Sequence, residues 1–185
     1  TITDANLENL NTLEFSGVTD AHVLIATDTS DGSDASLGFT SGINDTYDVY
    51  EFVFTNIHPE TDSVFFTFQV NADGDTGYNT SPITSNFFAA YNDAPPETNS
   101  AMGYDGGKDA HASTGEIKLS AWAGSDTDES ISGKMTLYAP SSGTYIKHFL
   151  SRFSTKKVDP AEYTTQIAGI IDDTTAIDDI RFKMS

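Results

Sequence analysis

The stretch Val64–Val70, which reads VFFTFQV, decides the fold. Every second side chain, beginning with Val64, is apolar, whereas the positions between include a threonine and a glutamine. A period of two places these two sets of side chains on opposite faces of an extended strand. The stretch therefore predicts a β-strand whose Val64 face lies in a hydrophobic core.

Strand patterns of the same kind recur on both sides of this stretch. β-Branched and aromatic residues fill them, and clusters of Gly, Pro, Asn, Asp and Ser separate them. The further predicted strands are Val49–Thr55, Phe87–Tyr91, Glu116–Trp122, Ile131–Tyr138, Tyr145–Phe153, Thr164–Ile171 and Ala176–Lys183. Because Pro140–Gly143 reads as a tight turn, the two strands that flank it are expected to form a hairpin.

Three places interrupt the alternation. Gly133 predicts a bulge within its strand, and Asp178-Asp179 indicates a bend or bulge in the last segment. Asn92–Ala112 contains two prolines and three glycines and is the longest irregular stretch. We expect it to be a functional loop, since ordered domains rarely contain so long a loop without a function.

Short strands joined by turns, without long helical patterns for crossovers, predict an all-β fold. We expect an antiparallel β-sandwich over residues 36–185, with a jelly-roll-like or an immunoglobulin-like winding. Residues 1–35 are predicted to form an N-terminal arm or linker. Within this arm, Thr3–Leu13 is either a short helix or an extended segment that packs its leucines on a neighbour, and His22–Ala26 reads as a short strand.

The composition excludes several classes of protein. The 28 acidic residues outnumber the 9 lysines and arginines, which gives a formal charge of −19. Nucleic acids and anionic membranes are therefore not expected as partners, because both are bound largely through cations. The acidity serves either solubility or adaptation to salty water. Without cysteine there are no disulfide or thiolate-metal frameworks, and no apolar run approaches the roughly 20 residues that span a bilayer.

Sequence motifs typical of catalytic or metal-binding sites are few. The four histidines, His22, His58, His111 and His148, lack metal-ligand spacing and are expected at the surface or in packing. Asp73 and Asp75 flank Gly74 and suit Ca²⁺, although no glutamate follows at the EF-hand distance and a plain turn is the favoured reading. Two further acidic sets, Asp28/Asp31/Asp34 and Asp126/Asp128/Glu129, are weaker candidates. No cofactor is otherwise expected.

Aromatic residues near the loops are candidates for stacking on sugar rings. These are Tyr78, Tyr91, Tyr104 and Trp122. Trp122 lies on a predicted strand, where a place in the core is favoured. Tyr104 lies in a glycine-rich loop and is, with Tyr78, the better candidate for a ligand-binding surface residue.

Several segments resemble structural proteins of tailed phages, including marine and cyanophage-like ones. Tyr47–Asp62 resembles a recurring stretch of the form Y-x-x-Y, hydrophobic strand, N-I-x-P-x-T-D. Leu137–Ser142 with Lys147–Phe149 resembles the hairpin that follows, and Ile167–Gly169 and Ala176–Ser185 resemble the last strands. The similarity covers roughly residues 40–185, and its motifs are structural rather than catalytic.

This resemblance implies a jelly-roll-like sandwich at the surface of a virion, in a tail fibre, a head fibre or a capsid decoration. Its expected partners are other virion proteins and copies of itself, with a trimer favoured by symmetry. Host attachment and a host-surface glycan as ligand are further expectations. A lectin-like carbohydrate-binding module is the alternative function, and a polysaccharide hydrolase that uses paired carboxylates is the third.

The two ends of the sequence also differ from the expected pattern. The sequence opens at Thr1 without a methionine, so we expect that Thr1 is not the first codon. The resembling chains continue past the segment that ends here at Ser185. We therefore expect either a longer chain or an exposed sheet edge that another subunit covers.

Overall fold

The computed structural model describes residues 22–92, 100–157 and 162–185. Its strands are β1 (Leu37–Phe39), β2 (Val49–Ile57), β3 (Phe66–Ala72), β4 (Ile83–Asn92), β5 (Ser100–Tyr104), β6 (Ala110–Ser113), β7 (Ile117–Lys118), β8 (Ile131–Tyr138), β9 (Lys147–Lys156), β10 (Glu162–Ile171) and β11 (Ile177–Met184). Among these residues the helical structure is one short 3-10 turn, Gly106–Lys108. None of the helical structure in these ranges is long and apolar enough to cross a membrane.

The strands form two antiparallel sheets that pack together as a β-sandwich. The four-stranded sheet has the order β1-β11-β3-β7. The seven-stranded sheet has the order β2-β8-β9-β10-β4-β5, with β6 also paired to β4. The all-β sandwich is confirmed. The jelly-roll winding stays a prediction, since β8, β9 and β10 follow one another as a meander within one sheet.

The core lies between the two sheets and is built largely from aromatic rings. Phe66, Phe68 and Val70 of β3 are buried in it, as the alternation predicted. Phe66 stacks on Phe182 of β11 with ring centroids 5.8 Å apart, and Phe68 meets Phe149 of β9 edge to face at 4.9 Å. The Phe68–Phe149 contact joins the two sheets, because β3 belongs to one and β9 to the other, whereas Phe66 and Phe182 contact each other within the four-stranded sheet.

Most of the strand predictions are confirmed, including the β8–β9 hairpin. The irregularity at Asp178-Asp179 is also confirmed, because the β11–β3 register shifts between Ile177 and Asp179. The bulge predicted at Gly133 is wrong: the extra residue is on the paired strand β2, between Phe54 and Ile57. The glycine at position 133 is explained by close packing instead, since a Cβ there would lie 2.3 Å from the Arg152 carbonyl oxygen.

Three other predictions need correction. The irregular stretch from Asn92 to Ala112 contains β5 and part of β6, whose sequences lack alternation because β5 is exposed on both sides. Of the strand predicted over Glu116–Trp122, the structure keeps only Ile117–Lys118. The segment His22–Ala26 is exposed and pairs with no strand in the described ranges. The proposed helix over Thr3–Leu13 lies outside the described residues, so the arm prediction stays untested there.

A buried lysine ties the turns at one end of the sandwich together. Lys147 opens β9 and is 0% exposed. Its ammonium group donates to the carbonyl oxygens of Ser142 (2.7 Å), Asp173 (3.0 Å) and Thr175. An ammonium has three donors, so this environment satisfies all of them. Lys147 thereby joins the β8–β9 turn to the β10–β11 turn.

Candidate functional site

The outward side chains of the seven-stranded sheet form one continuous surface, here called the open face. It consists of four cross-strand rows that follow the strand register. The rows are Val53–Lys134–Arg152–Gln166–Phe88–Tyr104, Glu51–Thr136–Leu150–Ala168–Asn86, Val49–Tyr138–His148–Ile170–Thr84 and Ser132–Ser154–Thr164–Ala90–Met102.

The open face exposes large apolar side chains. Six of the twelve exposed large hydrophobic residues in the described ranges lie on it: Val49, Val53, Phe88, Met102, Tyr104 and Leu150. Met102 is 82% exposed and Val53 is 69% exposed. An apolar surface of this kind, mixed with polar side chains, is typical of sites that contact another molecule.

The open face is also nearly free of acidic groups. Among its four rows the one carboxylate is Glu51, whose Oε2 lies 2.7 Å from Lys134 Nζ. Arg152 stands beside Lys134 and is in no ion pair with another described residue. The next row adds one group of each sign, Lys156 and Glu162. The chain carries −19 overall, so its negative charge is concentrated away from this face.

Phe88 and Tyr104 form an aromatic pair at one edge of the open face. Their ring centroids are 5.4 Å apart. The Tyr104 hydroxyl donates to the Asp109 carboxylate, and this hydrogen bond raises the pKa of Tyr104. The second Asp109 oxygen accepts the Phe87 amide at 2.8 Å, which fixes the carboxylate against β4. The amide of Gln166 is the cross-strand neighbour of Phe88, so ring faces and hydrogen-bonding groups stand side by side.

Tyr78, the other predicted ligand-binding tyrosine, lies on the opposite side of the molecule. It is half-buried, and the Arg181 guanidinium lies 4.4 Å from the centroid of its ring. Arg181 donates from Nη2 (2.7 Å) and Nε (3.1 Å) to Gln69 Oε1, and Gln69 Nε2 donates to the Tyr78 carbonyl at 3.0 Å. Burial raises the pKa of Tyr78, and the charge of Asp179 adds to that effect. Tyr78 therefore packs on the outward side of the four-stranded sheet, over Arg181 of β11 and Gln69 of β3.

We call this outward side of the four-stranded sheet the covered face. Thr67, Gln69 and Asn71 point to it from β3, yet all three are buried. The segment 73–82, which follows β3, folds back over two of them and hydrogen-bonds to Gln69 and Asn71. The structure therefore separates Tyr78 and Tyr104 onto two different surfaces.

Asp73 and Asp75, the calcium candidates, are exposed residues of a tight turn. The Asp75 amide donates to the Ala72 carbonyl at 3.0 Å, and Gly74 adopts a positive φ of 86°. The turn thus uses Asp and Gly for their backbone preferences. Within the ranges that the structure describes, no three His, Cys, Asp or Glu side chains are grouped as a metal site.

The remaining predicted residues are dispersed. Trp122 is 38% exposed rather than core, because the chain leaves the strand pattern after Lys118. Lys108 Nζ lies 4.6 Å from the centroid of the Trp122 ring. The four histidines lie at the surface, as expected, and far apart in the strand order. The Tyr91 side chain lies outside what the structure describes.

One cleft, with a volume of about 1490 Å³, lies between segment 22–36 and strands β1 and β2. Phe39 and Phe52 form part of its wall, where the core is incompletely covered. Its lining brings together no group of metal ligands. The cleft combines apolar contact surface with polar and charged side chains, such as those of His58, Glu51 and Lys183.

Comparison with protein-family models finds no matching family, and comparisons with curated proteins and with solved structures find no similar protein. These comparisons therefore do not link the chain to the tailed-phage proteins that its motifs resemble.

Proposed function

We propose that this protein is a structural and adhesive module that works by surface contact through its open face. The observation that carries this proposal is the scarcity of acidic groups on one broad, half-apolar face of a strongly acidic chain. The resemblance in sequence adds the setting, which is the exterior of a virus particle as a fibre or capsid-decoration domain. Within that setting, the partners are other virion proteins and further copies of this chain.

Charge explains why contact would use this face. Two copies at −19 repel each other wherever acidic surfaces meet. On the open face this repulsion is small, because Glu51 is neutralised by Lys134. Burial of apolar area contributes about 25 cal/mol per Å², so Val53, Leu150 and Met102 supply a favourable term. Identical faces around a rotation axis give closed oligomers, among which we favour a trimer.

Sedimentation velocity over a range of concentrations tests whether the open face drives assembly. Leu150→Glu places a charge near the centre of the face, and we expect it to weaken self-association at least tenfold. Tyr145→Glu is the matched control, because Tyr145 is 73% exposed but lies in the β8–β9 turn. Equal association of both variants and the wild type, or loss in Tyr145→Glu alone, would reject the proposal.

Carbohydrate binding is the second candidate function, and the Phe88–Tyr104 pair favours it. Two tilted aromatic rings beside the Gln166 amide and the Arg152 guanidinium offer stacking surface and hydrogen bonds. Hydrolysis has less support on this surface, since a glycosidase needs two carboxylates and the four rows hold one, paired with Lys134.

A glycan array followed by titration tests this second candidate. Tyr104→Ala is expected to lower affinity for a bound glycan about fivefold, as loss of a stacking ring costs roughly 1 kcal/mol. Tyr145→Ala, a comparably exposed tyrosine off the face, controls for non-specific stacking. A blank array, or equal binding by both variants, would exclude the glycan site.

A further inference from the structure

The bulge in β11 places two aspartates opposite one asparagine on the covered face. Ile177 pairs with Ala72 and Asp179 with Asn71, so Asp178 is an extra residue with no partner of its own in β3. Ile177 and Ile180 are both buried in the core. The two residues between them therefore project to the other side, where Asn71 lies directly across from Asp179.

Two of the oxygen atoms at this bulge are buried without any hydrogen-bond donor. Asn71 is 7% exposed and its Oδ1 is unpartnered. The orientation of its amide is fixed, because Nδ2 donates to the Asp75 carbonyl at 3.1 Å. Asp178 Oδ1 is also buried and unpartnered. A buried acceptor without a donor costs about 1–3 kcal/mol, so two at one place call for a compensating group.

Among the residues that the structure describes, no cation supplies that compensation. Arg181, the nearest cation along β11 on this face, directs Nε and Nη2 to Gln69 Oε1 instead. No ion pair joins Asp178 or Asp179 to a lysine or arginine in the described ranges. Burial raises the pKa of Asp178, and the neighbouring charges of Asp179 and Asp73 raise it further. Backbone amides of Asp178 and Asp179 offset this only in part, so negative charge is gathered here without an ion pair to a described lysine or arginine.

We propose that Asn71 Oδ1, Asp178 and Asp179 form a calcium-binding site at the β11 bulge. The donor set is oxygen only, which suits a hard cation and not zinc. Calcium accepts amide and carboxylate oxygens in flexible arrangements and completes its shell with carbonyl oxygens and water, whereas magnesium demands a stricter octahedron. Asp73 lies near enough to act on Asp178 electrostatically and adds charge at the edge of the site.

Such an ion would clamp segment 73–82 onto the covered face. Asn71 is bonded to the Asp75 carbonyl of the turn, and Asp178 and Asp179 belong to the neighbouring strand. An ion that holds all three would couple the turn to β11. The site differs from the Asp73/Asp75 pair that the sequence suggested, because its ligands come from two strands rather than one turn.

Calorimetric titration of chelator-treated protein with CaCl₂, at ionic strength held constant with KCl, tests the site. We expect one saturable Ca²⁺ per chain, a higher Tm on binding, and at least tenfold weaker binding of Mg²⁺. The double variant Asp178→Asn/Asp179→Asn should lose the saturable binding. Asp45→Asn/Asp48→Asn removes the same charge from exposed positions elsewhere and should keep it.

A second readout uses Tb³⁺ in place of Ca²⁺. The Tyr78 ring lies over Arg181, which is two positions from Asp179 on β11, so we expect it to be close enough to sensitise the emission of a bound Tb³⁺. Emission should fall in Tyr78→Phe while Ca²⁺ still competes for the ion. Equal Ca²⁺ binding in both double variants, or emission unchanged in Tyr78→Phe, would place the ions elsewhere and overturn the proposal. A wild type without saturable binding would also overturn it, and would mean that a proton or water satisfies Asp178.

Discussion

The two outer faces of the sandwich are built from similar strands, but one is covered by the chain and the other is exposed. On the covered face, segment 73–82 returns over β3 and hydrogen-bonds to the buried side chains of Gln69 and Asn71. On the open face, Leu150 and Val53 stay exposed. The protein thus covers one face with its own chain and leaves large apolar side chains exposed on the other. Three cations placed at different depths make this contrast measurable: Lys147 in the interior, Arg181 on the covered face and Arg152 on the open face.

The largest effect is expected for Lys147→Met. The substitution leaves the carbonyls of Ser142, Asp173 and Thr175 without their donor, so we expect a loss of about 3–5 kcal/mol in the free energy of unfolding. Urea denaturation measures it. Lys134→Met, which removes an exposed lysine, should change stability by less than about 0.5 kcal/mol. Similar losses in both variants would mean that Lys147 does not hold the turns.

Arg181→Ala and Arg152→Ala compare the two faces directly with one kind of substitution. Loss of Arg181 leaves Gln69 Oε1 without its donors and removes the contact with Tyr78, so we expect about 2 kcal/mol of destabilisation. Loss of Arg152 should cost less than about 0.5 kcal/mol. Hydrogen exchange should also quicken over residues 73–82 in Arg181→Ala. Equal losses of unfolding free energy in the two arginine variants would contradict the distinction between the covered face and the open face.

A pH series separates two aspartates that flank the start of β11. Burial raises the pKa of Asp173, but hydrogen bonds from the Thr175 amide and the Ser81 hydroxyl, with the charge of Lys147, outweigh it and leave the pKa below 3.8. Its stabilisation is therefore present above pH 3.8 and lost as the pH falls through the lowered value. Asp173→Asn should be destabilised at neutral pH, and the difference from wild type should shrink in acid.

Asp178 should behave in the opposite way. Its pKa is raised by burial. The ionised Asp178 therefore destabilises the folded state, and this destabilisation grows as the pH rises above 3.8 and is complete above the raised pKa. In chelator, Asp178→Asn should be more stable than the wild type at neutral pH, and the difference should vanish at low pH. Urea unfolding between about pH 3 and pH 7 measures both variants. The same sign for both aspartates would contradict the contrast between a satisfied and an unsatisfied carboxylate.

The sequence predicted the elements whose two faces differ, and it missed those whose faces are alike. Alternation identified Val64–Val70 and the β8–β9 hairpin because one side of each strand enters the core. β5 escaped detection because its residues are exposed on both sides. Trp122 was assigned to a strand because local alternation continues past Lys118, although the backbone there has already left the sheet.

The candidate site was less accessible to sequence reasoning, because it depends on which strands are neighbours. Tyr104 was selected correctly as a surface residue, but its partner Phe88 is paired to it only through the β4–β5 register. Tyr78 gave the same signal in the sequence and is half-buried by Arg181, more than 100 positions away. The scarcity of acids at the outward positions of β8, β9 and β10 was visible in the sequence and could have indicated the open face.

Cysteine accessibility tests most directly whether the open face is the contact surface, and the chain has no native cysteine to interfere. Single variants Leu150→Cys on the open face and Tyr145→Cys in the β8–β9 turn can be labelled with a maleimide, first in dilute protein and then in the concentrated, assembled state. The account predicts that Leu150→Cys reacts readily when dilute and becomes at least tenfold slower when assembled, while Tyr145→Cys reacts at one rate throughout. Unchanged labelling of Leu150→Cys in an assembly that protects Tyr145→Cys would contradict it.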